Sequence, residues 1–143
     1  MLKIPAPIYD QIRQHGEAAY PHECCGILLG VLEDSCKTVT QAIPTENSSA
    51  TPANHYRIAP SDLIQTLREI RSSGLEIAGF YHSHPGHPAQ PSTTDLTEAH
   101  WLGCSYLITT IVQGRATDTH AFHLAGRNEE DKYFDQEEIL ILE

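Results

Sequence analysis

The sequence predicts an α/β domain built round one mixed β-sheet. Three observations predict it. Short apolar runs of strand length recur from Gly26 to Leu124. Stretches with apolar residues at helical spacing interrupt them. The strands are joined both by tight turns and by a strand–helix–strand unit, so one sheet holds antiparallel and parallel pairs.

The elements follow in order. Pro5 to Ala19 carries Ile8, Ile12 and Ala19 at helical spacing behind two prolines, and reads as a helix. Gly26–Leu32 and Lys37–Ile43 read as strands of a hairpin that turns at Glu33-Asp34-Ser35. Pro44–Asn54 is polar, holds two prolines and reads as a loop. His55–Ile58 reads as a short strand. Pro60–Ser73 is the clearest helix: Leu63, Ile64, Leu67 and Ile70 form one apolar stripe, Pro60 starts it and Gly74 stops it. Glu76–His82 is a strand, Pro85–Pro91 a rigid loop with three prolines, and Ser92–Leu102 a helix. Tyr106–Val112 and Thr119–Leu124 are strands around a Gln113-Gly114 turn. The chain from Gly126 is acidic and ends in the apolar run Ile139–Leu142. A late strand, a docked tail and a partner contact all remain open for that run, and it could support a homodimer.

The chain has 143 residues, which is one domain over residues 1–143. A chain of this size buries roughly 68–70% of its unfolded surface and needs no staple. Nine Lys plus Arg against nineteen Asp plus Glu give a net charge of −10. That acid excess argues against nucleic acid, which needs a basic stripe, and against an anionic membrane surface. No apolar run approaches the ~18 residues of a membrane span. The start, Met1 to Gln11, has no apolar core of a secretory signal, so the expected compartment is the cytoplasm. Cys24, Cys25, Cys36 and Cys104 form no CxxC and no regular framework, and read as buried small hydrophobes, with a disulfide between two of them as the alternative.

The chemistry concentrates in Tyr81-His82-Ser83-His84-Pro85. Residues i and i+2 of a strand share a face, so the His82 and His84 imidazoles converge at a strand's C-terminal end. Seven residues separate His84 from Ser92, and two more separate Ser92 from Asp95. The proline-rich loop can return Asp95 to the two histidines. Ser92 and Asp95 also read as the N-cap and first-turn acid of a helix, and the two readings are compatible. His, His and Asp with one open position describe a catalytic zinc site. Such a site wants a general base that is not a ligand and a donor for the oxyanion. Ser92 can donate; the base must come from elsewhere. His22-Glu23-Cys24-Cys25-Gly26 is not an HExxH motif, because Gly26 stands where the second histidine belongs. His120 and His123 fall on different faces of their strand, and His87 sits in the loop beside the candidate site.

These residues resemble the JAMM (MPN-plus) metalloprotease signature: His82-Ser83-His84-Pro85, then Ser92, then Asp95, with Glu23 upstream before the Cys25-Gly26-x-Leu28-x-Gly30 run. The resemblance covers about Tyr9 to Leu124, and the Asn47 loop, Tyr56-Arg57-Ile58 and the Pro60 helix are similar to the short prokaryotic members. It implies a curved mixed sheet flanked by helices, of the cytidine-deaminase-like architecture. It implies that His82, His84 and Asp95 bind Zn2+ and that Ser92 stabilises the oxyanion. Glu23 would act as general base on the zinc water, then pass the proton to the leaving amine. The implied activity is hydrolysis of a peptide or isopeptide bond at the C-terminal Gly-Gly tail of a ubiquitin-like or sulfur-carrier protein. Two other readings stay beside it: a zinc peptidase on small peptides or cell-wall stem peptides, and a scaffold of the same fold without catalysis.

Overall fold

The computed structural model describes all 143 residues. In chain order they form β1 (Leu2–Pro5), α1 (Ala6–Ala19), β2 (Cys25–Glu33), β3 (Cys36–Thr45), α2 (Pro60–Ile70), β4 (Glu76–Pro85), α3 (Thr93–Glu98), β5 (Ser105–Val112), β6 (Arg115–Ala125), β7 (Tyr133–Glu137) and β8 (Ile139–Leu142). The eight strands make one mixed sheet in the order β7-β6-β5-β4-β2-β3-β1-β8. β2 lies antiparallel between β3 and β4, while β4 runs parallel to β5.

The two outermost strands, β7 and β8, are separated in the chain by Glu138 alone. The ends of the sheet are therefore covalently adjacent, and the sheet curls back on itself. The Leu2 N–H donates to the Glu138 carbonyl at 2.9 Å as part of the β1–β8 ladder, which ties the linking residue to one side of the gap. An ion pair from Lys37 on β3 to Glu137 on β7, at 3.6 Å, spans the same gap.

Period-2 alternation sorts β2 between two cores. Cys24, just before β2, and Leu28 join Leu2, Ile4, Ile12, Tyr81 and Leu107 beneath α1. Ile27 and Leu29 join Phe80, Tyr106 and Leu124 on the other face, where Leu63, Ile70, Leu96 and Trp101 cover them. Both faces are covered, so β2 reads as a continuous apolar run. Gly26 faces the Tyr81 ring, and a Cβ there would run into it. That close approach lets the Tyr81 hydroxyl reach His15 Nδ1 at 2.7 Å.

Several expectations need correction. His55–Ile58 is not a strand. Its backbone groups bond to Asn47 and Ser48 instead of to a neighbouring strand. The helix expected over Ser92–Leu102 ends at Glu98. Beyond it the chain turns inward, placing buried Ala99 and half-buried Trp101 in the second core, and Lys132 Nζ takes the carbonyls of Thr97 and Ala99 at 3.1 and 2.7 Å. α2 ends at Ile70, and its packed stripe is Leu63, Thr66 and Ile70; Ile64 and Leu67 are 50% and 44% exposed. Thr66 is tolerated inside because its hydroxyl donates to the Asp62 carbonyl at 2.8 Å. β4 runs on through both histidines to Pro85, and β3 runs on to Thr45. The final apolar run is a strand, β8, paired parallel to β1.

Candidate functional site

His82 and His84 lie near the C-terminal end of β4, in the middle of the sheet, opposite Ile108 and Thr110 of β5. The strand pleat points both rings the same way. Their Nε2 atoms are 3.0 Å apart. Asp95 Oδ2 lies 3.3 Å from the first and 3.1 Å from the second. Asp95 is held there by the start of α3. Ser92 caps the helix: its Oγ accepts from the Asp95 N–H at 3.0 Å, and its own N–H donates back to Asp95 Oδ2 at 2.9 Å.

The donor set fits a metal ion. The Pro88 carbonyl lies 2.8 Å from His84 Nδ1 and accepts its proton. A neutral His84 therefore turns the Nε2 lone pair towards His82 Nε2 and a carboxylate oxygen, and such a set wants a cation at its centre. The three ligand atoms lie within 4.8 Å of one another. Two nitrogens and one oxygen suit zinc. Burial lowers the pKa of His82 and keeps it neutral. Burial acts on His84 as well, but Asp95 and the Pro88 carbonyl outweigh it and raise that pKa. Burial pushes Asp95 up, and its bonds to the two imidazoles more than reverse this, leaving it well below the usual carboxylate range.

Glu23 stands just before β2 and is 5% exposed. The long polar loop positions it. Its N–H donates to the Pro52 carbonyl at 2.7 Å, and Asn47 Nδ2 donates to its carbonyl at 3.0 Å. Its Oε1 is buried with no hydrogen-bond partner. Burial pushes the carboxyl up to about 7, aided by the negative charge of Asp95 and opposed by His84 and His55. A buried carboxyl with a raised pKa is suited to take and return a proton.

Glu23, His84, Ser92 and Asp95 line one cleft of about 410 Å³, with His55 and His87 on its walls. His82 is buried behind them. All five residues singled out in the sequence thus converge. The two remaining histidine expectations also come out. His123 Nδ1 meets Lys37 Nζ at 3.1 Å while His120 meets Gln136, so neither joins the cluster. The four cysteines are free; three are buried as expected, but Cys36, at the start of β3, is only half-buried. Burial pushes Cys24 up to about 12 and Cys25 and Cys104 up to about 11, as inert thiols.

Sequence reasoning missed three parts. The Tyr56 ring stacks on His82, with centroids 4.2 Å apart and planes 19° from parallel. His55 Nε2 reaches Glu98 Oε1 at 2.5 Å, tying the polar loop to α3. An apolar cleft of about 270 Å³ opens beside the site between Tyr56, Ile58, Leu63, Phe80, Trp101 and Tyr106. The Tyr56 segment shares in the family resemblance, but none of these contacts has a sequence signal, because each joins segments far apart in the chain.

Residues 5–124 match the family of prokaryotic homologs of the JAB domain. The chain belongs to this JAB family. A desampylase of Haloferax volcanii is 38% identical to this JAB chain over 111 residues, covering 75% of the chain and 78% of that protein. A probable TtuB-protein conjugate cleaving protease of Thermus thermophilus is 33% identical over 101 residues, covering 71% of the chain and 65% of that protein. The fold matches that of a JAB1/MPN domain protein from Archaeoglobus fulgidus with a TM-score of 0.58, covering 99% of each chain at 16% identity. The curled mixed sheet with flanking helices is therefore the JAB1/MPN architecture. No helix is long and apolar enough to cross a membrane.

Proposed function

We propose that this JAB chain is a zinc-dependent peptidase that hydrolyses the peptide or isopeptide bond at the Gly-Gly tail of a ubiquitin-like or sulfur-carrier protein. The observation that carries the reading is the unpartnered Glu23 carboxyl, buried in the same cleft as a two-nitrogen, one-oxygen ligand set. The relatives that cleave protein conjugates support the substrate class.

His82, His84 and Asp95 would hold the ion. Zinc there supplies a Lewis acid for the scissile carbonyl and lowers the pKa of water towards ~7. Glu23 takes the proton of the attacking water on its free oxygen and delivers it to the leaving nitrogen. The carbon–nitrogen bond breaks, leaving a carboxylate on the tail and a free amine on the other product. The Ser92 oxygen already accepts from Asp95, so its hydroxyl proton is free to donate to the oxyanion. Two glycines suit the polar cleft, since only glycine lets a backbone approach so closely. The neighbouring apolar cleft takes a larger side chain from further up the tail.

The test is a cleavage panel on the purified, zinc-loaded protein. Gly-Gly-tailed ubiquitin-like conjugates should be cut, short cell-wall peptides left intact, and a chelator should stop the reaction. Cutting of the cell-wall peptides alone would transfer the activity to that class.

A further inference from the structure

The two histidines are held by different devices. His84 donates its outer N–H to the Pro88 carbonyl at 2.8 Å. Histidines that ligate metals almost always have such a partner, and it sets both tautomer and ring direction. His82 has none: its Nδ1 is buried without a hydrogen bond. An orphaned donor is costly and gives the ring no direction. The χ2 torsion of histidine is broad, so packing has to set that direction. What packs there is the face of Tyr56, 4.2 Å away and nearly parallel.

Tyr56 is itself tightly placed although it lies in no helix or strand. Asn47 bonds on both sides of it, donating from Nδ2 to the His55 carbonyl at 2.9 Å and accepting the Arg57 N–H on Oδ1 at 3.0 Å. Ser48 then takes the Arg57 carbonyl with both its N–H and its hydroxyl, each at 2.9 Å. His55 is further clasped to Ser49 Oγ at 2.6 Å and to Glu98. This is more fixing than an exposed polar loop needs for its own sake.

We propose that Tyr56 is a positioning residue for His82: its stacked ring replaces the missing hydrogen bond and fixes the angle at which Nε2 meets the ion. The proposal rests on the metal reading above. The stack, not the phenol hydroxyl, is the active feature. Tyr56 also lines the apolar cleft, so the same residue touches both the ligand and the neighbouring pocket.

The experiment measures zinc affinity by competition with a chromogenic chelator, and the visible spectrum of the cobalt-substituted protein. Tyr56→Leu removes the aromatic face but keeps an apolar filler; zinc affinity should fall about 10-fold or more, and the cobalt bands should shift. Tyr56→Phe keeps the stack and should restore both to wild type. Ile58→Ala loosens the same cleft wall and should leave affinity within about twofold. Wild-type affinity in Tyr56→Leu overturns the proposal. So does a Tyr56→Phe variant as weak as Tyr56→Leu, or an equal loss in Ile58→Ala. A wild-type protein that binds no zinc overturns the metal reading itself and Tyr56 with it; normal wild-type binding isolates the failure to Tyr56.

Discussion

Two buried polar clusters sit at opposite ends of the same sheet. At one end Lys37, Glu137, His123 and Ser105 close the seam between β3 and β7. Lys37 Nζ meets Glu137 at 3.6 Å and His123 at 3.1 Å, and the Ser105 hydroxyl donates to Glu137. At the other end Glu23, His82, His84 and Asp95 form the candidate site. Both set histidine beside a carboxylate with little exposure: the Glu137 side chain is 10% exposed and Glu23 5%, although His123 is only half-buried. The first cluster is satisfied from within: each charge has its opposite. In the second, Glu23 Oε1 and His82 Nδ1 have no partner, and two imidazole Nε2 atoms face each other. Burying polar groups is tolerated when they are paired and costly when they are not. A buried cluster that balances is a latch. One left unbalanced fits the ion and substrate proposed above.

The largest test of that contrast is Glu23→Gln. It removes the proton carrier and an unsatisfied charge together. Cleavage should fall by about 10³-fold, while thermal stability stays equal or rises. Ser92→Ala should come next, slowing cleavage by about 10²-fold through the lost donor. It should also cost about 1 kcal/mol of stability through the lost cap, which thermal unfolding would show. Lys37→Ala should do the reverse of Glu23→Gln. Glu137 keeps the N-terminal ammonium at 3.5 Å and the Ser105 hydroxyl, so the loss of Lys37 should cost about 2 kcal/mol in urea unfolding, with zinc stoichiometry unchanged. If zinc binding fell as well, the two ends would not be independent.

The smallest effect sharpens the rule for a satisfied histidine. Burial lowers the His15 pKa below its ordinary value, so the folded state keeps it neutral against the Tyr81 hydroxyl. A lowered pKa means the stabilisation is whole above about 6.5 and is lost as pH falls through the folded-state value. His15→Gln should flatten the fall in stability on the acid side of that point. An unchanged stability–pH curve would show that His15 does not contribute to it.

The legibility of the molecule followed chain distance. His82 and His84 were readable because a strand puts i and i+2 on one face, and Ser92 and Asp95 because a capping box spans four residues. Glu23 was not readable from spacing. Its place came from the family resemblance, and the structure supplies the cause, a loop that Asn47 sews to its carbonyl. β1 escaped notice because four residues, Leu2–Pro5, carry no period of their own; they are a strand only by pairing with β3 and β8. His55–Ile58 looked like a strand from its composition, yet its backbone found Asn47 and Ser48 first.

By itself the sequence determined the sheet class, the helix starts and the candidate ligand types, because these depend on neighbours within one turn or one pleat. Tertiary structure alone decided that the sheet curls until β7 and β8 close it, that Glu23 meets the histidines, and that Tyr56 lies on His82. Each of these brings together residues from distant segments, and only the packing of the whole chain sets such distances.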